Sequence, residues 1–231
     1  MKKVIFWDFD GTLVKSNQSF CQSLQRALED FGETPDAGKS MDFLKSACSW
    51  YFPDQVYADR TGEFWWQDLL AKLEEWLKKQ GIRTAPEICC RFREHVISYP
   101  YELYGDAREA LKSASSLGYE NYILSSNFPE LRQTIAELGL GDLFQDICLS
   151  SELGSDKPNR MIFEAALKKA GNPGTAIMVG DNPLADMLGG RQAGMTTILV
   201  HRTEPCPHAD YLCPELQDAA AILSQLSASR G

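Results

Sequence analysis

This 231-residue chain contains no stretch near the roughly 18 consecutive apolar residues of a membrane-spanning helix, so no membrane partner is expected. The apolar run at its start, Val4 to Trp7, is cut short by Asp8, and no small-residue cleavage site follows, so no secretory leader is expected. Positive charge is also scarce. Against 32 Asp and Glu stand 23 Lys and Arg, a net charge of −9. That is the wrong sign for gripping a phosphate backbone and argues against a nucleic-acid partner. It does not exclude a small anionic substrate, which responds to the local field of a pocket. The cysteines are odd in number, seven, and scattered at positions 21, 48, 89, 90, 148, 206 and 213. They read as reduced thiols of a cytoplasmic protein rather than a disulfide framework. No internal repeat or low-complexity tract is visible.

What is present is ordinary globular material: 44% hydrophobic and 24% charged residues, enough for one large domain or a core carrying a smaller one. Short apolar runs alternate with helical patterns. Val4–Trp7 ends in acidic residues, Tyr122–Leu124 in Ser125-Ser126-Asn127, and Ala176–Val179 in Gly180-Asp181. A fourth run, Thr197–Val200, is followed by His201. Continuous, short and β-branched runs suit buried parallel strands. Helices are expected over Ala107–Leu117, over Glu130–Leu138 with Gly139 as its stop, and from Pro158 through Ala170. The pattern predicts an α/β fold, a doubly wound parallel sheet with a Rossmann-like plan. Ligands of such sheets bind beyond the carboxyl ends of the strands, where these polar residues fall.

Residues 15–103 differ, with helical patterns and little strand signal. Trp65, Leu69, Leu73 and Trp76 share one helical face, while Asp68, Lys72, Glu75 and Lys79 lie elsewhere. The expectation is a helical insertion over 15–103, with 1–14 and 104–231 forming the core domain. The aromatic cluster Trp50-Tyr51-Phe52 and Phe64-Trp65-Trp66 invites a role in substrate recognition. Burial in the insertion's own core is the plainer expectation. A Pro214–Leu226 helix closes the chain. Cys206, His208 and Cys213 lie close together, but their spacing matches no common zinc pattern.

The first strand runs into Asp8-Phe9-Asp10-Gly11-Thr12-Leu13. Two carboxylates two residues apart in extended chain project to one side and favour a bound cation or a shared proton. Taken singly, Ser125 is a strand-end turn residue, Lys157 a surface lysine, and Asp181-Asn182-Pro183 a turn opening a helix. Together they resemble the haloacid dehalogenase superfamily: Asp-x-Asp-Gly-Thr after the first strand, Ser125 after the second, Lys157 before a helix, and Asp181 and Asp186 in a late acidic motif. The likeness spans Met1–Val14 and Glu102–Val200.

That resemblance implies a magnesium-dependent phosphatase acting on small phosphorylated metabolites, with a helical cap over an α/β core. Asp8 would be the nucleophile. Asp10 would be the general acid and base. Mg²⁺ would be held by Asp8, the Asp10 carbonyl and Asp181. Lys157 would stabilise charge on the phosphoryl group, Ser125 or Ser126 would bind it, and Asp186 would orient Lys157 or the metal's waters. Two departures stand out: Lys15 replaces a usual acidic residue, and Asn127 comes one position later than usual. Asp10 favours phosphatase or phosphomutase over dehalogenase chemistry, and no Arg or Lys motif for closing over a sugar phosphate is evident. A phosphoacceptor receiver domain is far shorter and lacks the late acidic motif. A degenerate binding module would not need the intact acid and lysine set.

Overall fold

The computed structural model of the protein describes residues 2–15 and 18–228. Six strands, β1 (Lys3–Trp7), β2 (Tyr119–Ser125), β3 (Asp146–Leu149), β4 (Thr175–Gly180), β5 (Thr196–Val200) and β6 (Tyr211–Cys213), form one sheet in the order β3-β2-β1-β4-β5-β6. Every pairing is parallel. The sheet is buried on both faces because strand side chains alternate. Ile5, Trp7, Ile123, Ile177 and Val179 enter one hydrophobic cluster, and Val4, Phe6, Leu124 and Met178 enter the other. Two edge strands were not expected from sequence. β3 is four residues that begin with a charge, and β6 has only three, so neither offers a run long enough to stand out.

Register places the chemistry. Trp7 pairs with Ile123 on one side and Val179 on the other, so Asp8 falls level with Leu124 and Gly180. Its amide continues the ladder, donating to the Val179 carbonyl at 2.9 Å. Ser125 and Asp181 therefore stand one residue past Asp8 on either flank. β1 lies between β2 and β4, where the direction of strand addition reverses, the usual place for a ligand crevice.

Between β1 and β2 come α1 (Ser19–Asp30), α2 (Ala37–Ala47), α3 (Glu63–Lys79) and α4 (Ala85–Ile97), then α5 (Ala107–Ser116) against the sheet. Residues 16 and 17, inside the expected start of the insertion, lie outside the described residues. The chain leaves and re-enters the sheet side by side: Lys15 N donates to Glu102 O, and Tyr104 N to Leu13 O. Trp65, Leu69 and Leu73 of α3 are buried as the periodicity requires, whereas Trp76 is half-buried against Phe43.

The remaining helices are α6 (Leu131–Glu137), α7 (Ser150–Leu153), α8 (Arg160–Lys169), α9 (Gly189–Gln192) and α10 (Ala219–Ala228). Pro158 does not open α8, contrary to expectation. Its bond to Lys157 is cis, and the helix starts at Arg160, where the Asn159 side chain accepts from Met161 N at 3.0 Å and supplies the cap. The closing helix likewise begins later, at Ala219.

The loop before α3 is strapped to the core. Tyr57 N donates to Gly154 O, Gly62 N to Ser151 O, and Asn159 Nδ2 to Pro53 O. Gly154 is obligatory here: it adopts φ +75°, and a Cβ would sit 2.6 Å from Ala58 Cα. The Tyr57 hydroxyl donates at 2.8 Å to Asp156 Oδ2, and that carboxylate is fully buried with no other hydrogen bond among the described residues. Tyr57→Phe should therefore cost about 1–3 kcal/mol, since it leaves a buried acceptor unsatisfied. The melting temperature should fall by about 2–4 °C for each kcal/mol. An unchanged melting temperature would show that the bond contributes nothing.

Candidate active site

The Asp8–Val14 segment makes a tight turn in which Leu13 N donates to Phe9 O and Gly11 N to Val14 O, both at 2.9 Å. Gly11 is required twice over: its φ is +76°, and a Cβ there would lie 2.7 Å from Asp181 Oδ2. This close approach lets the first acidic loop meet the loop after β4. At the end of β4 the same economy recurs, for a Cβ on Gly180 would fall 2.2 Å from Asp186 Oδ2. Asn182 caps the π-helical turn Pro183–Leu188 by accepting from Leu184 N and Ala185 N. That turn carries Asp186 back under the sheet edge, where its Oδ2 accepts from Asn182 N at 3.1 Å.

Lys157 reaches into the centre. Its Nζ lies 2.8 Å from Asp8 Oδ1 and 2.5 Å from Asp186 Oδ1, and the side chain is almost wholly buried. Burial works against the charged ammonium, but Asp186 and Asp8 outweigh it and hold its pKa above the ordinary 10.5. Burial likewise pushes the Asp186 carboxyl up. One of its oxygens is engaged by Lys157 and the other accepts from a backbone amide. Ser126 steadies the lysine from behind, its Oγ accepting from Lys157 N at 3.0 Å. Ser125 Oγ is 3.5 Å from Asn127 Nδ2.

Asp10 differs from Asp8. Asn127 Nδ2 donates to its Oδ2 at 2.6 Å, and its Oδ1 is shielded with no hydrogen-bond partner among the described residues. Burial first, and then the neighbouring Asp8, raise its pKa to about 8. Asp181 is raised to about 6 by the same two causes.

A pocket joins these groups to the helical insertion. It takes in Asp8, Asp10, Ser125, Ser126, Lys157 and Asp181, while Asp186 stays buried behind them. Every site residue expected from sequence is thus at one strand-end edge. Asn127 is an addition: sequence marked its displaced position but gave it no partner, because the contact to Asp10 spans 117 positions. His201 is another, its Nε2 2.9 Å from Thr12 O and its ring stacked on Tyr104 at 3.8 Å, bracing the acidic turn. The aromatic cluster divides. Trp65 and Trp66 are buried, Phe64 is exposed, and Trp50 and Tyr51 line the pocket. The Cys213 thiol donates to Glu215 O.

Several observations fit a hard divalent cation. Asp8, Asp181 and Asp186 bring carboxylate oxygens within 4.8 Å of one another, the one such group of His, Cys or acidic residues among the described residues. Two acids nearby are pushed toward protonation, and the donors are oxygens throughout, as Mg²⁺ prefers. Asp186 is already engaged by Lys157 and Asn182 N, so Asp8 and Asp181 are the better placed ligands.

Comparison with known proteins agrees with this geometry. A family profile described as haloacid dehalogenase-like hydrolase matches residues 2–194. The chain belongs to that family of hydrolases. The pyrimidine 5′-nucleotidase YjjG of Escherichia coli is 42% identical over 89 residues, which cover 36% of this chain and 40% of that protein. A glyceraldehyde 3-phosphate phosphatase of Methanopyrus kandleri is 30% identical across 87% of this chain and 85% of its own length. Among solved structures, the HAD-hydrolase YfnB of Bacillus subtilis, bound to magnesium, superposes with a TM-score of 0.75 at 17% identity, covering 97% of this chain and 99% of that one. That last likeness speaks to the fold alone. No helix among the described residues is long and apolar enough to cross a membrane.

The crowded acids carry a prediction about stability. A carboxyl whose pKa is raised on folding stabilises the fold fully below its unfolded value near 4, and that contribution is lost as pH rises through the folded value. With EDTA present, Asp10 and Asp181 should therefore make the protein melt progressively lower from about pH 4 to pH 8. Asp181→Asn should raise the melting temperature at pH 7.5 in EDTA, and Mg²⁺ should stabilise the wild type but not the variant. A melting curve indifferent to Mg²⁺ in both proteins would count against a cation here.

Proposed function

We propose that this hydrolase is a phosphatase that cleaves small phosphate monoesters, with Asp8 as nucleophile and Asp10 as general acid and base. One observation carries the reading: a second carboxyl, two residues from Asp8 and lining the same pocket, is held by Asn127 at 2.6 Å and pushed up toward its protonated form by burial and by Asp8. A buried nucleophilic carboxylate with such a neighbour suits expulsion of a basic alcohol oxygen. The names of related proteins, a pyrimidine 5′-nucleotidase and a glyceraldehyde 3-phosphate phosphatase, support the same class of substrate.

In this reading Asp8 attacks phosphorus, the phosphorus–oxygen bond to the alcohol breaks, and Asp10 gives its proton to the departing oxygen. Asp10, now ionised, then takes a proton from water as the water attacks the aspartyl-phosphate, freeing Asp8 and inorganic phosphate. Lys157 orients the Asp8 carboxylate through the 2.8 Å contact and offsets phosphoryl charge. Ser126 is tied to the Lys157 backbone, which supports assigning the phosphoryl hydrogen bond to Ser125. Asn127 aims Asp10. Asp8, Asp181 and the Asp10 carbonyl would hold Mg²⁺. Bound there, the ion would supply positive charge against the approach of an anionic phosphate to an anionic carboxylate. Residues 15–103 would act as a cap, with 1–14 and 104–231 as the catalytic core.

Phosphate release should stop in EDTA and return with Mg²⁺, and Asp8→Asn should abolish it for every ester. Full activity in EDTA would remove the metal from the scheme. Asp10→Asn should slow the rapid-quench phosphoenzyme burst by about 10²–10⁴-fold for alkyl esters and far less for aryl esters, whose leaving oxygen needs little proton. Equal slowing of both would deny Asp10 the role of general acid.

A further inference from the structure

The wall of the pocket facing the acids is built by the helical insertion, and it carries no charge. Phe20, Cys21, Met41, Leu44, Trp50 and Tyr51 line it, with Gln18 and Ser19 as its neutral polar members. Among the described lining residues Lys157 is the one cation, and it is committed between Asp8 and Asp186. Arg202, whose field reaches Asp181, is exposed and is not part of the lining. The nearest ionisable groups on the facing side are Asp8, Asp10 and Asp181 themselves.

The wall is also aromatic. Phe20 packs edge-on to Trp50 at 5.0 Å, and Trp50 stacks on Trp65 at 6.3 Å and 24°, so the buried rings beneath hold the lining rings in place. Tyr51, 43% exposed, extends this surface to the rim, its hydroxyl 3.8 Å from the Met41 sulfur. Sulfur and ring faces suit a planar, apolar ligand edge or face. A second anionic group lying against this wall would find no cation in the described lining besides Lys157, which is already held between Asp8 and Asp186, an uncompensated burial of charge.

We propose that the substrates are phosphate monoesters of uncharged alcohols bearing a flat ring, of the nucleoside or arylalkyl kind, and that this wall discriminates against leaving groups carrying a carboxylate or second phosphate. The inference rests on the phosphatase reading above and adds the substrate class. The phosphoryl group sits at the strand ends, and the ring lies against Phe20, Trp50 and Met41.

The test compares kcat/KM with Mg²⁺ for ethyl phosphate, benzyl phosphate and 4-carboxybenzyl phosphate, with p-nitrophenyl phosphate as a generic ester. Benzyl phosphate should exceed both ethyl and 4-carboxybenzyl phosphate by about tenfold or more, because the first pair differs in ring contact and the second in an unpaired charge. Tyr51→Lys, at an exposed position, and Met41→Lys should each raise the rate on the carboxylated ester relative to benzyl phosphate. Equal rates on the charged and uncharged esters, or a ratio unmoved in both folded lysine variants, would overturn the proposal. No release from any ester, p-nitrophenyl phosphate included, would instead overturn the phosphatase reading, and this inference with it.

Discussion

The ammonium of Lys157, held between Asp8 and Asp186 at 2.8 and 2.5 Å, is the interaction on which the rest of the site depends. Four carboxyl groups, those residues with Asp10 and Asp181, converge on one sheet edge. Each like-charged pair about 4 Å apart opposes folding by roughly 4 kcal/mol at an effective dielectric near 20. A single buried lysine cannot balance four. The surplus appears in Asp10 and Asp181, whose carboxyls are pushed up toward neutrality. The same crowding of hard oxygen donors suits a divalent cation.

Around that charge cluster the backbone is arranged to leave no room for relaxation. Gly11 and Gly180 stand where any Cβ would collide with Asp181 or Asp186, so the acidic loops close to van der Waals limits. Ser126, Asn182 N and Asn127 each donate to or accept from one member of the set. These contacts come from three strand ends and the loop before α8, so the geometry is a property of the sheet rather than of any one segment. Preorganisation of this kind is what allows fixed dipoles to stabilise developing charge without moving.

The helical insertion contributes a different kind of chemistry. It shares one continuous apolar cluster with a face of the sheet, and it is tied by Tyr57 and Gly62 to the segment around Gly154 that leads into Lys157. Its pocket-facing side chains are neutral and aromatic where the strand ends are acidic. A shared α/β fold carries many chemistries on the same frame. The division here puts the acids and the lysine at the sheet edge and the neutral aromatic lining on the insertion.

Much of this was legible in the order of residues. Apolar runs ending in Asp8, Ser125 and Gly180-Asp181 identify buried parallel strands and their carboxyl ends, because continuous β-branched segments have few other stable homes. The spacing of Asp8 and Asp10, two residues apart, already puts both on one side of an extended chain. The edge strands β3 and β6 were not legible, since three or four residues carry too little periodicity to separate from a loop. Pro158 suggests a helix opening, but α8 starts at Arg160, because the Asn159 side chain supplies the cap. Which rings of the Trp50–Trp66 stretch line the pocket and which fill the core depends on how α3 packs on its neighbours. Asn127 against Asp10 and Tyr57 against Asp156 are contacts across 117 and 99 positions. Local sequence determines the strands and the acids. Long-range packing alone decides which partner each buried polar group meets, because a buried donor or acceptor must be satisfied by whatever the fold brings beside it.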